Sequence, residues 1–232
     1  MPSKWTWRPA AATVAALAAL MLATGPVAAA ADSACAALGG TVGADQICQT
    51  RTENSGYVLD FRFPVDYPDQ GALTDVLTQQ RDDFLDWIKG MPAAALPPEL
   101  DIVAKAYRSG SPTSGTQSVV LTIGNQAGVH PVTSYKSLNY DLARQVPITF
   151  ETLFKPGTHP RDVLDPIVEH EVEKRGGPGA VTLNDLGAQA YQNFAITDDA
   201  VIFFFNQDGL LSHVDGPLTV KVPRAELAAL LA

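Results

Sequence analysis

Residues 194–205 read Phe194-Ala195-Ile196-Thr197-Asp198-Asp199-Ala200-Val201-Ile202-Phe203-Phe204-Phe205. Two β-prone runs flank an Asp-Asp turn, a pattern that predicts a hairpin. The second run is apolar on both faces, so that strand is expected to be central or covered. Left in solvent, Phe203-Phe204-Phe205 would invite edge-to-edge aggregation, which favours a core strand over a membrane or ligand patch.

Working outward, Leu218 to Val222 reads as another strand, and Pro223 opens a short helix over Arg224 to Leu231. Upstream, a helix is expected over about Arg161 to Arg175. Asp165 as N-cap with Pro166 at the first helical position would accommodate that proline without a kink. Gly176-Gly177-Pro178-Gly179 stops it.

Further upstream, Gly56 to Pro64 alternates. Tyr57, Leu59, Phe61 and Phe63 face one way, and Val58, Asp60 and Arg62 the other, as in a half-buried strand. Tyr67-Pro68-Asp69-Gln70 turns the chain, with Asp69 as N-cap. Leu73, Val76, Leu77, Phe84, Leu85, Trp87 and Ile88 then recur at helical spacing, until Gly90 and Pro92 end the helix. Strands are expected over Glu99 to Tyr107, around Val119, Leu121 and Ile123, and over Val132 to Tyr140. The last two are joined by Gln126-Ala127-Gly128-Val129-His130-Pro131, whose Gly and Pro imply a shaped hairpin turn. Hairpins interrupted by helices give an α+β fold: a mixed, largely antiparallel sheet with two or three packed helices.

The N-terminus predicts the compartment. Lys4 and Arg8 precede an apolar run from Ala10 to Ala23, Gly25-Pro26 breaks it, and Ala28-Ala29-Ala30-Ala31 follows. This is the three-part pattern of a cleaved secretory signal peptide over residues 1–31, leaving 32–232 as one extracellular domain. The run is shorter than the ~20 residues a spanning helix needs. Asp32-Ser33-Ala34 before Cys35 does not fit a lipid-anchor signal, so the product is expected to be released, though envelope association is compatible with it. The formal charge is −9, and losing Lys4 and Arg8 makes the remainder more acidic still. With no basic cluster to offset it, such a surface repels phosphate backbones, and no nucleic-acid partner is expected. Cys35 and Cys48 are the only cysteines. In an oxidising compartment a pair reads as a disulfide, in preference to a metal pair or a reactive thiol. Closing a loop of that length stabilises by about 3 kcal/mol in the chain-entropy model.

Strong chemical motifs are missing. There is no G-x-S-x-G elbow and no Gly-rich phosphate loop. His170-Glu171 begins like H-E-x-x-H, but Lys174 stands where the second histidine should be. No metal and no cofactor are therefore expected, and no residue is assigned as catalytic. Of the four histidines, His170 lies between Glu169 and Glu171 on an exposed helix face, and His159 and His213 fall in polar loops, so all three read as solvated. His130, between a glycine turn and a proline, could lock the turn or act as a general base. A hydrolase would use Ser118 or Ser134 as nucleophile with His130 as base.

Tyr67-Pro68-Asp69-Gln70, Gly115-Thr116-Gln117 before Val119-Val120-Leu121, His130-Pro131 with Tyr135-Lys136, and Pro147-Ile148-Thr149 form an ordered series. Tyr191-Gln192-Asn193-Phe194-Ala195, Val201 to Asn206 and Val222-Pro223-Arg224 continue it. With Cys35 and Cys48, this series resembles the mycobacterial secreted immunogenic antigen family (MPT/MPB type), whose domain is similar to the extracellular part of the anti-sigma factor RsiV. The resemblance covers nearly all of the chain after residue 31. It implies a secreted α+β protein without a settled activity. RsiV senses by binding lysozyme, and a related mycobacterial cell-wall protein is described as an esterase, but fold likeness does not carry function. The expectation is a monomeric, non-catalytic interaction protein with an extracellular or host protein partner, and Gly128, His130, Pro131 and Tyr135 as the surface to test. A carboxylester hydrolase with a nonstandard Ser/His site is the alternative.

Overall fold

The computed structural model describes residues 34–91, 96–126, 130–180 and 187–232. The expected signal segment and Gly128 lie outside them. The order is β1 (Thr41–Val42), β2 (Ile47–Glu53), β3 (Val58–Pro64), α1 (Gln70–Ile88), β4 (Glu99–Ser109), β5 (Thr116–Gln126), β6 (Val132–Asp141) and β7 (Val146–Pro147). Then come α2 (Phe150–Leu153), α3 (Arg161–Gly176), β8 (Phe194–Ile196), β9 (Ala200–Phe205), β10 (Leu218–Pro223) and α4 (Arg224–Leu227).

Strands β1 to β7 form a seven-stranded sheet in sequence order, and β10-β9-β8 form a second sheet with β9 in the middle. All pairings are antiparallel except β3 with β4. Helix α1 makes that parallel crossover. Its first turn is capped as expected, with the Asp69 carboxylate accepting from the Ala72 N–H at 3.0 Å. The architecture is α+β, with a mixed, mostly antiparallel sheet.

Period-two alternation sorts the core into layers. Leu59, Phe61, Leu100, Ile102, Val119, Leu121 and Ile123 pack with Leu73, Leu77 and Phe84 of α1. The Cys35–Cys48 disulfide, with Cα atoms 5.7 Å apart, lies in the same core. On the opposite face, Val120 meets Ala195 and Phe204 of the small sheet. The small sheet's other face presents Phe194, Ile196, Val201, Phe203 and Phe205 to Leu164, Val168 and Val172 of α3. The layers run α1, large sheet, small sheet, α3. The apolar character of β9 on both faces is thereby explained: Phe203 is 0 % and Phe204 6 % exposed, on opposite sides.

Three expectations are corrected. Strand β3 is not half-buried: Val58 and Asp60 are covered too. It lies between β2 and β4, and Arg51 and Arg62 close over the Asp60 carboxylate at 2.9 and 3.4 Å. Asp165 is not an N-cap, because α3 already begins at Arg161, with Leu164 N–H bonding to the Pro160 carbonyl at 2.9 Å. The apolar stripe Leu164, Val168 and Val172 carries the helix through Pro166 despite the bond that proline cannot donate. Asp165 instead accepts from Arg161 one turn back and from the Tyr191 hydroxyl at 2.6 Å. The C-terminal helix is also shorter than expected. It ends at Leu227, and the chain turns so that Leu231 bridges Phe154.

The outer edge of β6 is paired with strand β7 only at Tyr140 and Asp141. Along the rest, side-chain oxygens take the place of a strand. Thr133 N–H donates to Gln207 Oε1, Tyr135 N–H to Asn206 Oδ1 and Ser137 N–H to Asn193 Oδ1, at 2.8, 2.7 and 3.1 Å. This polar clasp holds the small sheet's loops against β6 and covers an edge that would otherwise be open.

Candidate functional site

A cleft of about 330 Å³ opens where α1 crosses the end of the large sheet. One face of α1 supplies Gln80, Asp83, Phe84 and Trp87, spaced three or four residues apart. The sheet supplies a cross-strand row, Leu100 opposite Asn125 opposite Val132, with Ile123 opposite Ser134 in the next row. His130 stands at the mouth. Trp87, placed by its spacing in the buried stripe of α1, is 49 % exposed at the rim. The floor is apolar and the rim carries one carboxylate, two amides, a hydroxyl and an imidazole. Such a surface can seat an apolar group that bears a hydrogen-bonding head.

The expected site residues separate. His130 and Pro131 lie at the entry to β6, and His130 reaches the cleft. Tyr135 is on the opposite face of β6, its ring centroid 5.3 Å from that of Phe204 in the inter-sheet layer. It does not share a surface with the cleft.

The two candidate nucleophiles also part. Ser118 is fully buried, and its Oγ accepts the Ile196 N–H at 3.1 Å, joining the sheets. It has no path to a substrate. Ser134 lines the cleft with His130, but among the described residues no hydrogen bond joins the two side chains. The His130 ring instead meets His213 edge-on, with centroids 5.5 Å apart. His213 was expected to be a solvated loop residue. It is held by Asp208, whose carboxylate lies 2.9 Å from Nδ1. No sequence spacing could reveal this, because the contact joins two loops distant along the chain.

Among the described residues, no group of three or more His, Cys, Asp or Glu side chains is placed to share a metal ion. None of the described helices is long and apolar enough to cross a membrane.

Residues 151–225 match a family described as a protein of unknown function, DUF3298. The esterase Rv3036c of Mycobacterium tuberculosis is 47 % identical over 206 residues, which cover 88 % of this chain and 91 % of that protein. Immunogenic protein MPT64 of M. tuberculosis is 38 % identical over 216 residues, covering 92 % and 94 %. A crystal structure of a DUF3298 family protein from Pseudomonas aeruginosa PAO1 superposes with a TM-score of 0.54 at 12 % identity, covering 80 % of this chain and 92 % of that one. That last likeness concerns the fold alone.

Proposed function

The chain belongs to the family of the immunogenic proteins MPT64 and MPB64 and the esterase Rv3036c, and on that premise we propose an exported, monomeric extracellular protein that works by binding at the α1–β6 cleft. Residues 1–31 would direct export and 32–232 would be the working domain. The disulfide and the immunogenic relatives fit an extracellular setting. The observation that carries the binding reading is the cleft itself, with an apolar floor and a half-exposed Trp87 at its rim. A solvent-facing tryptophan beside such a floor costs hydration unless a partner covers it. The test is capture from envelope or host extract with the wild-type protein and with Trp87→Ser. A partner retained by the first and lost by the second is expected; identical capture by both would remove the cleft from the proposal.

A second reading has its own support. The 47 % identical relative is named an esterase, and Ser134 and His130 line one cleft. In a hydrolase there, after a movement that brings the two into hydrogen-bond range, Ser134 Oγ would attack an ester carbonyl while His130 takes its proton. The C–O bond to the alcohol would break as His130 returns that proton to it, and water would then release the acyl group from Ser134. Short-chain p-nitrophenyl esters decide between the readings. Activity that falls by at least about 100-fold in both Ser134→Ala and His130→Ala, with the fold intact, establishes the enzyme. Rates unchanged by either substitution exclude this site.

A further inference from the structure

His130 and His213 come from the β5–β6 turn and the β9–β10 loop, and their rings meet at 5.5 Å. One residue, Gln207, fixes both supports. Its backbone N–H donates to the Thr133 carbonyl at 3.0 Å, and its Oε1 accepts the Thr133 N–H at 2.8 Å. Its Nε2 donates to the His213 carbonyl at 2.9 Å. Gln207 thereby ties the start of β6 at Thr133 to the loop that carries His213.

The carboxylate of Asp208 can only accept, so His213 Nδ1 is the donor of this pair, and in the neutral ring the lone pair lies on Nε2. Asp208 sits in the left-handed region at φ 63°, and its carboxylate reaches the ring five residues on. A carboxylate behind one imidazole nitrogen is the arrangement that orients a histidine for a metal at the other nitrogen and raises its basicity. Two imidazoles on one tetrahedral ion, each with its nitrogen about 2.0–2.1 Å from the metal, have ring centres about 5–6 Å apart. The observed separation, which is also that of an edge-on ring contact, leaves both rings within reach of one ion.

We propose that His130 and His213 form a two-histidine site for a divalent transition-metal ion of the zinc, nickel or copper class, with Asp208 as the positioning residue behind His213. Imidazole is a good ligand for all three ions and a poor one for calcium or magnesium. Water completes the coordination. An ion there ties the turn before β6 to the β9–β10 loop at the mouth of the cleft. The site is compatible with the binding reading of the cleft; in the hydrolase reading His130 needs the same lone pair to take the Ser134 proton, so a bound ion would block that chemistry.

The test is calorimetric titration of the purified, tag-free protein with Zn²⁺ and with Ni²⁺, together with ¹H–¹⁵N spectra. One ion per chain is expected, with the first shifts at the His130 and His213 ring signals. His130→Ala and His213→Ala should each abolish saturable binding. Asp208→Asn should weaken it about 10–100-fold while both imidazoles remain. Both histidines are at the surface, and circular dichroism verifies that each variant is folded. Binding that survives both alanine variants, or no heat and no ring shifts at a large excess of either ion, overturns the proposal.

Discussion

Gly40 shows how much a single position can depend on a remote pairing. A Cβ there would lie 2.7 Å from Cys48 Sγ, 2.7 Å from Thr50 Cγ2 and 2.9 Å from Cys35 Sγ. The two sulfurs are joined, so neither can swing aside. Gly40→Ala is predicted to cost about 1–3 kcal/mol through overpacking, read as a lower urea midpoint at unchanged slope. Nothing local in Leu38-Gly39-Gly40-Thr41 distinguishes this glycine from an ordinary turn residue; only the bridge behind it does. Asp101 carries the opposite kind of information. Burial, with the Asp60 carboxylate on the adjacent strand adding to it, raises its pKa, and Arg62 offsets only part of this. Its ionisation is therefore harder in the folded protein than in the unfolded chain. That deficit appears as pH rises through the ordinary carboxylate range and is absent below it. Asp101→Asn should raise Tm at pH 7, and the gain should vanish near pH 3. A variant no more stable than wild type at pH 7 would contradict this account. The candidate site was legible in the same uneven way. His130 stood out in the sequence because a glycine turn and a proline flank it. His213 did not, because Asp208 and His130 give it a role only after two distant loops meet.

Among the elements, β6 is the one whose surroundings decide most. Its inner edge pairs with β5 along ten residues, from Asn125–Val132 to Thr116–Asp141. Its outer edge relies on Asn193, Asn206 and Gln207. Asn193 serves twice, because its own carbonyl accepts the Phe204 N–H at 2.9 Å. Asn193→Ala leaves the Ser137 N–H without its partner, at a cost of about 1–3 kcal/mol. Asn193→Asp keeps an acceptor oxygen and should recover most of that loss in urea unfolding. Equal destabilisation by both variants would mean that the donated hydrogen bond is not the source. These amides belong to the Tyr191-Gln192-Asn193 and Phe205-Asn206-Gln207 stretches, where a chain read alone offers polar residues at strand ends and no reason for them. Hairpins β5–β6 and β8–β9, by contrast, were readable, since turn chemistry and alternation are local. So were the start of α1 at Asp69 and the covered character of β9. The continuation of α3 through Pro166 was not. Local chemistry favours a helix start at that proline, and the buried stripe Leu164, Val168 and Val172 overrides it.

At the scale of the molecule, two cores share one inter-sheet layer, and each encloses a tyrosine. Tyr67 lies in the core of α1 and the large sheet, and Tyr191 in the core of α3 and the small sheet. Burial raises the pKa of both; Asp69 and Tyr140 add to the shift of Tyr67, and the hydrogen bond to Asp165 adds to that of Tyr191. The folded protein therefore keeps two phenolic protons that the unfolded chain gives up above about pH 10. The stability these groups contribute is whole below that pH and is lost as pH rises beyond it, at about 1.4 kcal/mol per pH unit for each retained proton. Urea midpoints measured from pH 9 to pH 11 should fall steeply for the wild type. They should fall less for Tyr67→Phe and for Tyr191→Phe, and least for the double variant. The three tryptophans are Trp5, Trp7 and Trp87, so in the protein lacking residues 1–31 fluorescence reports Trp87 alone, beside the first core. Val120, Ala195 and Phe204 join the two cores, and on that contact unfolding is predicted to be a single transition. Tyr191→Phe, on the far side of the small sheet, should then move the Trp87 transition as far as it moves far-ultraviolet circular dichroism. A Trp87 transition that ignores Tyr191→Phe would mean that the layers unfold separately and that the inter-sheet contact is too weak to couple them.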